Sequence, residues 1–204
     1  MKLKNLEMML QRLAGFTRPR ASLEQYQTPA PLAARLLYTA LMKGDIEGKR
    51  VCDIGCGTGV LAIGAALLGA ESVTGIEIDQ NAVEVACANA ALLDTEVTFI
   101  VMGVTDPELP ARAGPFDTVV MNPPFGAQKV HADRPFIDCA LALAPVTYSI
   151  FNAGSAQFVN AYTAKRAKVT ERIGGTFPIK RTFAFHTRDV QEIEVEVLRL
   201  ERKP

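Results

Sequence analysis

Long apolar runs are missing from this 204-residue chain. None approaches the ~18 consecutive apolar residues that a membrane-crossing helix needs. The N-terminal segment MKLKNLEMML also lacks an apolar stretch with a small-residue cleavage site, which argues against a secretory signal and for a cytoplasmic protein. Cysteine and histidine are sparse. The four cysteines, Cys52, Cys56, Cys87 and Cys139, form no Cys-x-x-Cys pair and have only two histidines to join them. No zinc or other metal site is therefore expected, and Cys52 and Cys139 read as small apolar residues facing a core. Internal repeats and low-complexity linkers are lacking too. With 49% hydrophobic residues the chain can bury one core. It reads as a single domain over residues 1–204, with a helical cap over 1–46 and a core over 47–204.

The formal net charge is zero, yet it is segregated. Residues 1–20 carry a net +4 and residues 165–190 a net +5, against −8 over residues 21–164 and −1 over residues 191–204. Two basic segments flanking an acidic body suit a polyanion held at the ends of the chain. Solvated faces and helix-end lysines would give the same counts.

Residues 3–13 have helical apolar spacing. Thr28-Pro29 opens a second helix through Met42, with Thr28 as its N-cap. Strands and helices then alternate. Strands are expected at Arg50 to Ile54, Val73 to Ile78, Val97 to Met102, Phe116 to Met121 and Thr147 to Phe151. Helices are expected at Gly59 to Leu68, Asn81 to Leu92, Pro135 to Leu143 and Ser155 to Lys165. The end of the chain reads as antiparallel strands at Lys168 to Ile173, Thr182 to His186 and Glu192 to Leu200; in the last, Ile193, Val195 and Val197 alternate with glutamates. Alternating βα units predict an α/β fold with a doubly wound, mostly parallel, seven-stranded sheet. Its C-terminal antiparallel strand pair resembles class I S-adenosylmethionine-dependent methyltransferases, a Rossmann-like fold.

The most telling motif is Asn122-Pro123-Pro124-Phe125, after the strand Phe116 to Met121. Two prolines fix their own φ and restrict the residue before each. The Asn122 side-chain carbonyl and the Pro123 main-chain carbonyl become rigid acceptors aimed at one point. A planar NH2 on a base or an amide offers two donors to match. Binding both favours a pyramidal nitrogen with a free lone pair, and Phe125 gives a planar substrate a face to stack on. A proline-rich turn ending a strand is the plainer reading.

The turn Asp53-Ile54-Gly55-Cys56-Gly57-Thr58-Gly59 joins the first strand to a helix. Its glycines admit close approach of a ligand, and the helix N-terminus favours a carboxylate or phosphate. Alone it is common to nucleotide-binding folds. Glu77, at the tip of the second strand, can accept both hydroxyls of a ribose, and Asp53 can meet an ammonium. Gln25 and Thr28, before the first strand, are further candidate contacts.

Together LEQYxTP, ARLLYTA, DIGCGTGVLAIGA, GIEID, FDTVVMNPPFG and IEVEVLRL resemble the methyltransferase-like-five family, adenine-N6 methyltransferases of small-subunit ribosomal RNA. The resemblance runs from the N-terminal helix to residue 200. It implies S-adenosyl-L-methionine as cofactor, held by Gln25, Thr28, Gly55, Thr58, Val60, Glu77 and Val104, with Cys56, Gly57 and Gly59 in the same turn. It implies an adenine received by Asn122 to Phe125, and an RNA partner. It also implies a small zinc-binding activator protein adding a strand beside Val97 to Met102, the expected sheet edge, where Phe99 is the side chain to test. The chain departs from the family pattern at Gly103, where an acid usually meets the cofactor's adenine amine; Asp106 is the nearest substitute.

Rival activities are glutamine-N5 methylation of a protein, guanine-N2 methylation, or a cofactor-binding ribosome assembly factor without turnover. The basic flanks favour RNA. Lys129, after the clamp, and Lys180 with Arg181, beside Phe183 and Phe185, are candidate substrate contacts. His131 and His186 read as surface or phosphate contacts rather than as a general base.

Overall fold

The structure, a computed structural model, describes residues 1–126, 131–180 and 190–204, apart from the side chains of residues 178–180, 190 and 191. Its strands are β1 (Arg50–Ile54), β2 (Ser72–Glu77), β3 (Thr98–Val101), β4 (Thr118–Met121), β5 (Val146–Asn152), β6 (Ala167–Lys180) and β7 (Val190–Arg202). They form one seven-stranded sheet in the order β3-β2-β1-β4-β5-β7-β6. The first five are parallel, and β7 runs antiparallel to both β5 and β6. The predicted fold class is the observed one.

The helices are α1 (Leu3–Leu10), α2 (Ala30–Met42), α3 (Val60–Leu67), α4 (Gln80–Leu92), α5 (Leu109–Ala113), α6 (Arg134–Leu143) and α7 (Ala156–Thr163). Successive strand residues point to opposite faces, so each strand feeds two cores. Val51, Val120, Tyr148 and Val197 join α1, α2, α3 and the end of α4 in one buried cluster. Cys52, Ile54, Val119, Met121 and Leu198 join α5, α6 and α7 in the other. No helix among the described residues is long and apolar enough to cross a membrane.

Three local expectations are corrected. Thr28 is not the cap of α2: Pro29 occupies the N-cap position, and no side chain caps the helix. The Thr28 hydroxyl instead accepts from the Asn122 amide at 3.0 Å, a partner 94 residues away that local pattern cannot reveal. The C-terminal region is built differently too. β6 does not stop near Ile173 but continues to Lys180, through Gly174 and Gly175. Gly175 marks a close approach rather than a break, since a Cβ there would lie 3.1 Å from Leu32 Cδ1 of α2. The expected strand at Thr182 to His186 lies outside the described residues. Finally, α5 has five residues, too few to register as a helical period.

The antiparallel extension is bolted to the loop after α2. Asp45 accepts from the Tyr148 hydroxyl at 2.6 Å and from Arg199 Nε at 2.9 Å. Arg199 also donates to Thr170 and pairs with Glu201. Three strands thereby share one ion-paired network.

Candidate active site

Strand order reverses between β1 and β4. At such a point the loops leaving neighbouring strands diverge in opposite directions, opening a crevice at the carboxyl ends. A cavity of about 320 Å3 lies there. Every expected cofactor and clamp residue lines it apart from Gly59. Gly59 instead has the positive φ of the residue before α3, and its N–H donates to Cys56 O at 2.8 Å.

The turn after β1 forms the floor. Gly55 and Gly57 have φ of 69° and 52°, and a Cβ on either would sit 2.8 Å from a phenylalanine ring, Phe136 or Phe16. Only glycine keeps both the fold of the turn and the space above it. Asp53 faces α3, where Oδ2 accepts the Ala62 N–H at 2.9 Å. Its other oxygen, Oδ1, is buried with no partner among the described residues. Burial raises the Asp53 carboxyl to about 8; the Ala62 N–H works against that shift and nearby Glu77 adds to it. An ammonium is the group that would satisfy Oδ1 and favour its ionised form.

Glu77 is 7% exposed at the tip of β2. Its Oε2 accepts from Gly57 N at 2.9 Å and its Oε1 from Asp79 N at 3.0 Å. Each oxygen keeps acceptor capacity. Burial pushes this carboxyl up, against the three main-chain N–H groups that lower it.

Gln25 lines the cavity, but its amide is already engaged. Nε2 donates to Asp79 Oδ2 at 2.9 Å and Oε1 accepts from Arg20 N at 2.7 Å. It thus ties the N-terminal cap to the start of α4, where Asp79 is the N-cap. Burial would raise Asp79, but hydrogen bonds from Gln25 and Asn81, with Arg20 nearby, hold it below the usual carboxylate range.

Gly103 and Val104 line the cavity. Asp106 does not: its Oδ1 accepts from Glu108 N at 2.9 Å, closing a turn.

The clamp closes the far wall. Asn122 Nδ2 donates to Thr28, and Asn122 Oδ1 is buried with no partner among the described residues. The Thr28 bond fixes the amide so that its carbonyl oxygen is the free end. Phe125 packs edge-on against Phe177, with centroids 5.5 Å apart and planes at 89°. That contact sets the angle of the Phe125 ring, and Phe177 itself is fully buried. Lys129 and Arg181 lie outside the described residues, and Lys180 ends β6 without a described side chain.

Two wall residues, Phe16 and Phe136, and one residue behind the turn, Asn89, carry no local signal. Phe16 and Phe136 flank the glycine turn. Asn89, buried in α4, accepts from Ala14 N and donates to Ala14 O and Thr58 O, joining the cap to the turn. His131 lines the mouth, with φ of 64°. Among the described residues no group of three or more His, Cys, Asp or Glu could hold a metal ion.

Comparison with known proteins separates the generic half of this site from the specific one. The ribosomal protein L11 methyltransferase (PrmA) family profile matches residues 34–123, from α2 into the clamp. Other relatives match almost end to end. An uncharacterized protein of Methanocaldococcus jannaschii is 40% identical, over 98% of this chain and 94% of its own. The rRNA N(6)-adenosine-methyltransferase METTL5 of Danio rerio is 33% identical, over 98% of both chains. Among solved structures, a Pyrococcus horikoshii protein proposed to be an RNA methyltransferase superposes with a TM-score of 0.91 at 37% identity, covering 100% of this chain and 99% of its own. At one-third identity over nearly the whole of both chains, the chain belongs to the METTL5 family of rRNA N(6)-adenosine methyltransferases.

Proposed function

We propose that this chain methylates the N6 amine of an adenine in ribosomal RNA, with S-adenosyl-L-methionine as methyl donor. The observation that carries this reading is the buried Asn122 Oδ1, without a partner among the described residues, beside Phe125 in the crevice. A carbonyl oxygen left without a donor costs free energy. An exocyclic amine supplies what it lacks.

The residues divide the work. Asp53 receives the cofactor's ammonium and Glu77 its ribose hydroxyls, while the main chain at Gly103 and Val104 borders the space left for its base. Gly55 to Thr58 and Val60 would lie along the cofactor. When bound, the cofactor supplies an electrophilic methyl group. The adenine is taken out of its stack. Its ring lies on Phe125, and its two N–H donors meet Asn122 Oδ1 and the Pro123 carbonyl. That draws the nitrogen lone pair out of conjugation and toward the methyl. Positioning and the two acceptors carry the rate, so no strong base is needed. His131, stacked on Phe158 at the mouth, is not required as one.

Residues 1–46 act as a cap on a core over 47–204, all within one domain; their shared buried cluster supports this. A small zinc-binding activator pairs with β3, whose position at the end of the sheet supports strand addition. A ribosomal substrate goes with a cytoplasmic location.

The test is transfer of labelled methyl from the cofactor to total RNA, protein and DNA from the same cells, followed by nucleoside analysis. Label in N6-methyladenosine is expected. Label in N2-methylguanosine or in glutamine would replace this reading, and no label in any fraction would point to a binding protein without turnover.

A further inference from the structure

Beyond the mouth of the crevice, α6 and α7 carry a ladder of rings and cations that the reaction does not use. His131 stacks on Phe158, with centroids 6.5 Å apart and planes at 20°. Phe158 stacks on Tyr162 at 5.7 Å and 22°. Arg134 lies against both rings, its guanidinium carbon 5.4 Å from the Phe158 centroid and 5.3 Å from that of Tyr162. Arg166 covers the Tyr162 ring at 5.2 Å. Phe158 and Tyr162, four residues apart, share one face of α7, and Arg166 follows in the turn before β6.

The two arginines differ in one respect. Arg166 is answered by Asp138 at 2.7 Å, and Asp138 also accepts from the Tyr162 hydroxyl. Among the described residues, the Arg134 guanidinium makes no ion pair and no hydrogen bond, although Asp133 and Asp138 are on or beside the same helix. Its Nε is buried and unpartnered. Two aromatic faces hold a planar cation rigid at a cost in unmet donors. Pro135 and Phe136, which follow it in the chain, line the cavity, as do His131 and Ala132 before it.

We infer that Arg134 binds a backbone phosphate of the RNA strand beside the target adenosine, and that His131, backed by Phe158, offers its outer face to the neighbouring base. A fixed guanidinium fork suits a phosphate better than a mobile lysine does. Rings that stack on one another and on cations are the platform on which single-stranded RNA is held. The position answers a requirement of the chemistry: an adenine turned into the crevice leaves its own phosphates at the mouth. This inference rests on RNA being the substrate.

The experiment uses the full chain and a single-stranded RNA that the wild type methylates. Arg134→Gln and Arg134→Met both remove the charge, and methionine keeps a contact with the rings. In both, KM for RNA should rise about tenfold or more. The slope of log affinity against log salt should flatten by about 0.7. The kcat at saturating RNA, the cofactor Kd and the melting temperature of the Met variant should be unchanged. Arg134→Lys should keep the salt slope and recover part of KM. An unchanged RNA KM and salt slope in both neutral variants, whatever their melting temperature, would make Arg134 a latch between α6 and α7 and overturn the inference. A wild type that labels protein instead of RNA would fail the substrate reading itself, a separate result.

Discussion

Asp53 offers a test that reads the cofactor site directly. Burial raises its carboxyl to about 8, although one oxygen accepts from the Ala62 N–H; the other has no partner among the described residues. At pH 7 about nine-tenths of the ligand-free molecules therefore hold it protonated. An ammonium at Oδ1 requires the ionised form. Binding should then expel about 0.9 proton at pH 7, and ionising the group there costs about 1.4 kcal/mol. Below pH 8 cofactor affinity should improve about tenfold per pH unit. The clean window is pH 5.5–7, where the ligand's own α-amino group remains charged. Isothermal titration in buffers of different ionisation enthalpy counts the proton. Glu77, also raised by burial, adds to the total, so Asp53→Asn isolates the Asp53 share. The variant should bind more weakly at pH 7 and release about one proton fewer. Stability follows the opposite sign. The folded-state value lies above the ordinary value near 4, so the native chain holds a proton that the unfolded chain has lost. Without cofactor, the wild type should lose stability as pH rises from about 4 to 8, and Asp53→Asn should remove that share of the decline. Equal proton release by wild type and variant would refute the ammonium assignment.

Asn122→Ala should lower kcat by at least about 10²-fold, as loss of an oriented catalytic hydrogen-bonding group does, while calorimetry finds the cofactor Kd within a few-fold. Asp45→Ala should lower stability by about 3 kcal/mol in chemical denaturation, because it strips the nearly buried Arg199 of its main partner; at sites this far from the crevice the cofactor Kd should hold. For the edge strand, Val101, which is 43% exposed, is the position to change. Val101→Lys should prevent capture of a strand-adding partner in pull-down while thermal melting stays near wild type. Phe99→Lys, the substitution that sequence suggested, should instead unfold the chain, since the Phe99 ring packs over Gly75 and against the core.

How much of this was legible beforehand follows from how far each interaction reaches along the chain. Alternating apolar patterns, the glycine turn and the Asn-Pro-Pro-Phe tetrapeptide are local, and backbone sterics dictate them within a few residues. From them the chain determined its sheet, its edge strand β3 and the two ends of its crevice. The cap of α4, for which the sequence offers Asp79 or Asn81, is Asp79, through a bond to Asn81 that spans two residues. Packing across the fold decided the rest. Thr-Pro looks like a helix start, and the sequence offers Thr28 both as a cap and as a ligand contact; the folded chain rules out the cap, brings Asn122 to the hydroxyl and leaves the Asn122 carbonyl free. Gln25 lines the cavity as the sequence suggests, but only the fold shows that its amide also joins Arg20 to Asp79. The Arg134 ladder joins residues of two helices separated by β5, a juxtaposition with no period to betray it. Local sterics determine which element a segment becomes and where it must turn. Which polar atoms end up paired, and which are left for a ligand, is a balance struck only when distant segments close the core.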